Sequence, residues 1–198
     1  MARAGGRPGR RRTPPAVTGM LGRATSHLPS PTVRLRFNAG RRGNWDRRVN
    51  PRGRPLRPNA EYVERSTGYT YRTDDRGRVS SFSGNLQMGP GVRNRRAQTG
   101  AGGRWRRATD VGGHMIARMF RGPGDRINMM PLDGGVNGRG WTRMENGWQR
   151  ALDSGSAVRV DGRLFYPDGD SLRPGRLEIT SQVDNHAPEI FTYRNRSG

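Results

Sequence analysis

The 198-residue chain contains no cysteine. Disulfide bridges, thiolate metal centres and a cysteine nucleophile are thereby excluded. Lysine is absent as well, so all 37 basic side chains are arginines. A GC-rich genome produces that skew without selection on function, so the sign and size of the charge carry the argument. No apolar run approaches the roughly 20 residues that cross a bilayer as a helix, and insertion into a membrane is not expected. The opening MARAGGRPGRRRTPPAVTG is basic with no apolar stretch behind it. It does not read as a secretory signal, and export would need a non-classical route. Apolar residues make up only 30% of the chain, while glycine (30) and proline (14) are abundant. That is too little for a core throughout, and part of the chain is expected to be disordered.

What is present is charge, a net +21. A surplus of this size attracts polyanions at long range and gains from counterion release, so nucleic acid is the first partner class. Anionic membrane surfaces and heparin-like polymers compete with it on charge alone. The surplus is uneven. Residues 1–58 hold 15 arginines and a single acid, Asp46. Residues 1–57 therefore read as a solvated, disordered basic tail: either a nucleic-acid-binding arm or a plain linker. A second unit, residues 58–198, is nearer to neutrality.

Within that unit EYVER, GYTYRT and GRVSSFS alternate apolar and polar positions, with breaks at Ser66-Thr67-Gly68 and Asp74-Asp75-Arg76-Gly77. This predicts a β-meander. Residues 85–107 read as a long surface loop. Residues 113–120 form a short apolar segment that ends in a sharp turn at FRGPGD. Trp141, Met144, Trp148 and Leu152 recur at helical spacing and predict a helix over about 137–152, ended by Gly155 and weakened at its start by Gly138 and Gly140. SAVRV, GRLFYP, RLEITSQV and EIFTYRN read as further strands, with turns at Asp161-Gly162 and Asp168-Gly169-Asp170. The order is that of an α+β fold.

One window, Asp110–Trp148, gathers His114, Asn128, Asn137, Trp141 and Glu145. Phosphodiester hydrolysis near neutral pH needs a base for water, a cation for the crowded negative charge, and a grip on the phosphate. An imidazole with a pKa of about 6.5 suits the first task. Oxygen donors suit a magnesium-like ion. Asn137, Trp141 and Glu145 are spaced i, i+4, i+8, which keeps Asn137 and Glu145 near one side of an α-helix. Asn137 can offer a carboxamide oxygen to a metal, and Glu145 can hold a metal-bound water.

DVGGH, Asn128-x-x-Pro131 and Asn137-x-x-x-Trp141-x-x-x-Glu145 together resemble the bacterial DNA/RNA non-specific endonucleases, which are ββα-metal (His-Me finger) nucleases. The resemblance covers roughly residues 58–195 and is nearest to the C-terminal toxin domains of polymorphic toxins, through PNAEYV, TYRTDDRGRV and GGHMIARMFRGPGD. It implies an antiparallel sheet with one main active-site helix. It implies a hydrolase of DNA and RNA that uses magnesium, with manganese as a substitute. His114 would be the general base, Asn137 the metal ligand, and Glu145 the anchor of metal-bound water. Asn128 would orient the loop around the base or the metal. Asp110, Gly113 and Trp141 would support the site. Arg93, or else Arg78, would bind phosphate, with Arg118 and Arg139 as further nucleic-acid contacts. In the toxin setting an acidic immunity protein would be a partner. The sequence has Asp-Val-Gly-Gly-His where the better-known motif is Asp-Arg-Gly-His, and the stretch from His114 to Asn128 is short, as in the toxin branch.

Taken singly, these residues have plainer readings. A histidine beside glycine is most often a polar turn residue, an asparagine at a helix start is a cap, and both tryptophans suit a core. The joint spacing favours the nuclease. Its rival is a non-catalytic basic nucleic-acid-binding protein.

Overall fold

The computed structural model describes residues 31–40, 56–167 and 169–196. In chain order its elements are β1 (Val33–Phe37), β2 (Ala60–Glu64), β3 (Thr70–Thr73), β4 (Val79–Asn85), α1 (Arg95–Thr99), β5 (Asp110–His114), β6 (Met129–Asp133), α2 (Thr142–Asp153), β7 (Val158–Phe165), β8 (Arg176–Val183) and β9 (Glu189–Arg194). Seven strands form one sheet in the order β1-β2-β3-β4-β7-β8-β9, and β5 and β6 form a separate antiparallel hairpin. The fold is α+β, mostly sheet with one main helix.

The period-two pattern explains the sheet. In β7, Val158, Val160, Gly162 and Leu164 are buried while Arg159, Asp161 and Arg163 are exposed. One face thus meets the core and the other water, as antiparallel sheets allow. The meander β2–β3–β4 is antiparallel throughout. Its first turn is organised by Glu64, whose carboxylate accepts from the backbone N–H groups of Ser66 and Thr67. Its second is organised by Asp74, which accepts from the N–H groups of Arg76 and Arg78.

The hairpin and α2 pack on the apolar face of the sheet. Tyr62, Tyr71, Phe82, Val160 and Ile179 from the sheet share one core with Ile116, Phe120, Leu132, Trp141, Met144 and Trp148. Full burial of each large side chain contributes roughly 1.5–3 kcal/mol. Trp148 meets Phe191 edge-on and Phe120 at a tilt, with centroids 6.5 and 6.3 Å away. The buried hydroxyls are placed: Tyr69 donates to the Phe120 carbonyl and Tyr71 to the Asn128 carboxamide.

Four expectations need correction. Residues 33–37, expected inside the solvated tail, form β1, which pairs in parallel with β2 and buries Phe37. Alternation in VRLRF, masked by arginine, is what permits this. The rest of the tail up to residue 30, and residues 41–55, lie outside the described residues. Residues 85–107 are not one loop. They contain α1, capped by the Asn94 side chain, and a 3-10 turn at Gly103–Trp105, and Ala97 and Ala101 bury against Met129. The Asp161-Gly162 turn does not exist, because β7 runs through it. Gly162 is there for close approach, since a Cβ would lie 2.2 Å from the Phe82 ring. Finally, the helix starts with a π-helical turn over Val136–Trp141 before α2 proper. That wider winding shifts Asn137 around the axis from its α-helical position. The buried stripe is Trp141, Met144 and Trp148, with Leu152 half-buried at its end, and Gly155 follows in the left-handed region.

Candidate active site

The site is built on the hairpin and the helix that follows it. β5 delivers His114 at its last position, opposite Met129 of β6. The two glycines before it are dictated by what presses on the strand. A Cβ on Gly112 would sit 2.1 Å from the Gln98 carbonyl oxygen in α1. A Cβ on Gly113 would touch Leu132 at 3.0 Å and stand 3.6 Å from Oδ1 of Asn137. The tight neighbour there is Leu132, and the Asn137 carboxamide stands in ordinary contact range of the residue before His114.

His114 is half-buried, and its Nε2 is buried with no hydrogen-bond partner. Burial holds its pKa below the ordinary histidine value, and the positive fields of Arg118 and Arg93 push it the same way. The ring is thus kept neutral, with a nitrogen able to accept a proton. Arg93 and Arg118 are exposed, and neither has an acidic partner among the described residues.

Asn128 is fully buried and does not face open space. Its Oδ1 accepts from the Ile116 N–H at 2.9 Å and from the Tyr71 hydroxyl at 3.1 Å, while Nδ2 donates to the carbonyls of Ile116 and Pro123. It ties down the loop that leaves His114. All its polar atoms are engaged, which suits the expected part of orienting the loop and leaves none for a reacting group.

Asp110 anchors the root of the hairpin. Arg173 grips it with a two-pronged contact at 2.7 and 2.8 Å, and the carboxylate also accepts from the Arg107 N–H. Burial opposes ionisation of Asp110, but Arg173 and Arg107 outweigh it and hold its carboxyl below the usual aspartate range. Arg173 also donates to the Asn195 carbonyl at 2.6 Å. The Asn195 side chain in turn bonds the backbone of Pro131, Asp133 and Pro174. Both strands of the hairpin are thereby fixed to the region around β8 and β9. Arg173 and Asn195 carry no local motif, and only their long-range partners identify them.

Asn137 and Glu145 sit on the helical segment. Trp141, buried between them, donates its indole N–H to Glu145 at 2.9 Å and leans on the Tyr193 ring, with centroids 5.6 Å apart. Burial pushes the Glu145 pKa up to about 7, against the lowering effect of the Trp141 bond. A half-buried carboxylate with one N–H donor is under-compensated, and a nearby cation would favour its charged form. No group of three or more His, Cys, Asp or Glu that could hold a metal exists among the described residues. A carboxamide and one carboxylate suit a hard, largely hydrated cation of the magnesium type and not a closed zinc centre.

Two of the expected nucleic-acid contacts differ in setting. Arg139 is exposed beside the site, on the π-helical turn. Arg78 is engaged with other loops. Its guanidinium pairs with Asp74 at 2.6 Å, donates to the carbonyls of Gly169 and Ser171, and lies over the Tyr166 ring at 4.2 Å. It is committed to holding two loops together and is not available as a phosphate grip.

Residues 58–185 match the family model described as DNA/RNA non-specific endonuclease. The chain is 35% identical over 139 residues to the type VII secretion system protein EssD of Staphylococcus aureus strain USA300, and to the same degree to EssD of strain NCTC 8325. The match takes in 67% of this chain but 22% of the relative, so the chain spans about a fifth of the length of EssD. Among solved structures, NucA from Streptococcus agalactiae with magnesium ion bound is similar in fold. The TM-score is 0.52 at 17% identity, over 68% of this chain and 75% of that one.

Proposed function

Because the chain belongs to the DNA/RNA non-specific endonuclease family, we propose that it is a magnesium-dependent nuclease that hydrolyses DNA and RNA with His114 as general base. One observation carries the reading. A half-buried imidazole with an unpartnered Nε2 stands next in the chain to Gly113, beside which the Asn137 carboxamide lies. In this reading His114 takes a proton from the attacking water. The water oxygen bonds to phosphorus, the bond from phosphorus to the 3′ oxygen breaks, and that oxygen leaves opposite the entering one. Asn137 would hold the cation directly and Glu145 would hold one of its waters. When bound, the ion supplies positive charge for the crowded phosphate and the departing oxygen. Trp141 orients Glu145 through its N–H, and Asn128 keeps the loop after His114 in place. Arg93, Arg118 and Arg139, all exposed, would grip a sugar-phosphate backbone without reading bases, which gives weak sequence preference.

The similarity to a type VII secretion system protein supports a setting in protein secretion, in line with the resemblance to toxin domains. No helix among the described residues is long and apolar enough to cross a membrane. An acidic neutralising protein is then the expected partner, matched to the +21 charge.

The test is plasmid and RNA digestion with magnesium, with and without EDTA, for wild type and His114→Ala. The expected outcome is a loss of several decades in both EDTA and the variant, with unchanged circular dichroism. Undiminished cleavage by the variant removes His114 from the role. Salt-sensitive binding without any cleavage leaves only the non-catalytic reading.

A further inference from the structure

A cavity of about 490 Å³ lies between β6 on one side and α1 with its following turn on the other. Its walls are apolar, formed by Ala97, Ala101, Met129 and Pro131, and Trp105 stands at one side. Gly100, Gly102 and Gly103 form part of the lining, so from that stretch only the Ala101 methyl enters the wall. None of His114, Asn137 and Glu145 lines it. It is nonetheless adjacent to the reaction centre, because Met115, the residue after His114, lines it, and so does Met129, the cross-strand partner of His114.

The rim is basic. Arg126 is exposed, has no acidic partner among the described residues, and reaches over Gly100, where a Cβ would lie 3.8 Å from Nη2. The Arg76 guanidinium lies against Gly169 and pairs with the exposed Asp170 at 3.3 Å, a pair that water screens heavily. The guanidinium of Arg104 covers one face of the Trp105 ring at 4.1 Å, and the ring itself lines the cavity.

We propose that this cavity receives a nucleobase from the bound strand, stacked on Trp105, while neighbouring phosphates rest on Arg76 and Arg126. The inference builds on the nuclease reading and adds a second point of substrate contact beyond the phosphate at His114. Apolar walls alone would suit any oily group, and a basic rim alone would suit any free phosphate. A single strand of nucleic acid presents the two together, a flat apolar ring flanked by anions. Stacking of this kind accepts every base, because each has a π-face. It therefore strengthens binding without imposing sequence.

The experiment uses the full chain carrying His114→Ala, so that binding is read without cleavage. Its affinity is measured for a short single-stranded DNA and for the same strand with abasic sites, with and without Trp105→Ala. The expected result is about tenfold weaker binding of the base-bearing strand by the Trp105→Ala protein, little change for the abasic strand, and recovery with Trp105→Phe. Equal loss on both strands, or loss on neither, overturns the proposal. Failure here leaves the nuclease reading untouched, since that is judged by cleavage with His114 intact.

Discussion

The indole of Trp141 and the carboxylate of Glu145 are joined by a 2.9 Å hydrogen bond across one helical turn, at the junction where the π-helical segment becomes α2. The bond joins packing to the site, because the same ring packs at a tilt against the half-buried Tyr193. Trp141→Phe keeps the ring and deletes the donor. The concentration of magnesium needed for half-maximal cleavage is expected to rise by about tenfold or more, as for other partners of metal-site ligands. A magnesium titration that superimposes on wild type would detach Trp141 from the site.

Glu145 itself should reveal its environment through stability. Its folded pKa of about 7 lies above the ordinary glutamate value of 4.5. The folded state therefore holds the proton more tightly between those values. That contribution is complete below pH 4.5 and is lost as pH rises through about 7. In EDTA, Glu145→Gln should unfold at higher urea than wild type at pH 8 and show a flatter pH profile, while its cleavage activity falls. Parallel profiles for the two proteins would contradict the burial argument.

For His114 the sign is opposite. Burial, Arg118 and Arg93 all depress its pKa, so the ring stays neutral to lower pH than a free histidine. The acid limb of kcat for a small chromogenic phosphodiester should have its midpoint below about 6.5. Arg118→Gln removes one positive field and should move that midpoint upward. A midpoint indifferent to both arginines would show that their charge does not reach the ring.

The buried grip of Arg173 on Asp110 should matter more for folding than any surface pair. Arg173→Ala strands a carboxylate in the interior and is expected to cost about 3–5 kcal/mol. Pairing it with Asp110→Asn should recover part of the loss in urea unfolding. The depressed Asp110 pKa gives stability that is present above the unfolded value of about 3.9 and is lost as pH falls through the lower folded value. Wild type should therefore weaken in acid more steeply than the double variant.

Legibility in the sequence followed the range of the cause. The meander and the later strands announced themselves through period-two alternation, and the helix through Trp141, Met144 and Trp148, because those signals lie within a few residues. β1 was hidden because arginines occupy its outward positions, and outward arginines look the same in a strand and in a tail. α1 is five residues long, too short to display a period. Arg78 was misread because nothing near it in sequence announces Gly169, Ser171 or Tyr166, which occupy its guanidinium. Arg173 and Asn195 were invisible for the same reason. The joint spacing of His114, Asn128, Asn137 and Glu145 identified a family, but only the fold separates them into a half-buried imidazole, a fully bonded loop tie, and two groups on the helical segment.

β1 lies along the outer edge of β2, ahead of the stretch that matches the family model. Trimming the chain at residue 58, the natural cut suggested by that match, would strip the selvedge from the sheet. The backbone of Ala60–Glu64 would then be left as a raw margin, open to pairing with the same margin of a second molecule. Expression of the shortened form is a recipe for clumped protein, and the arginine-rich VRLRF should travel with the domain it hems.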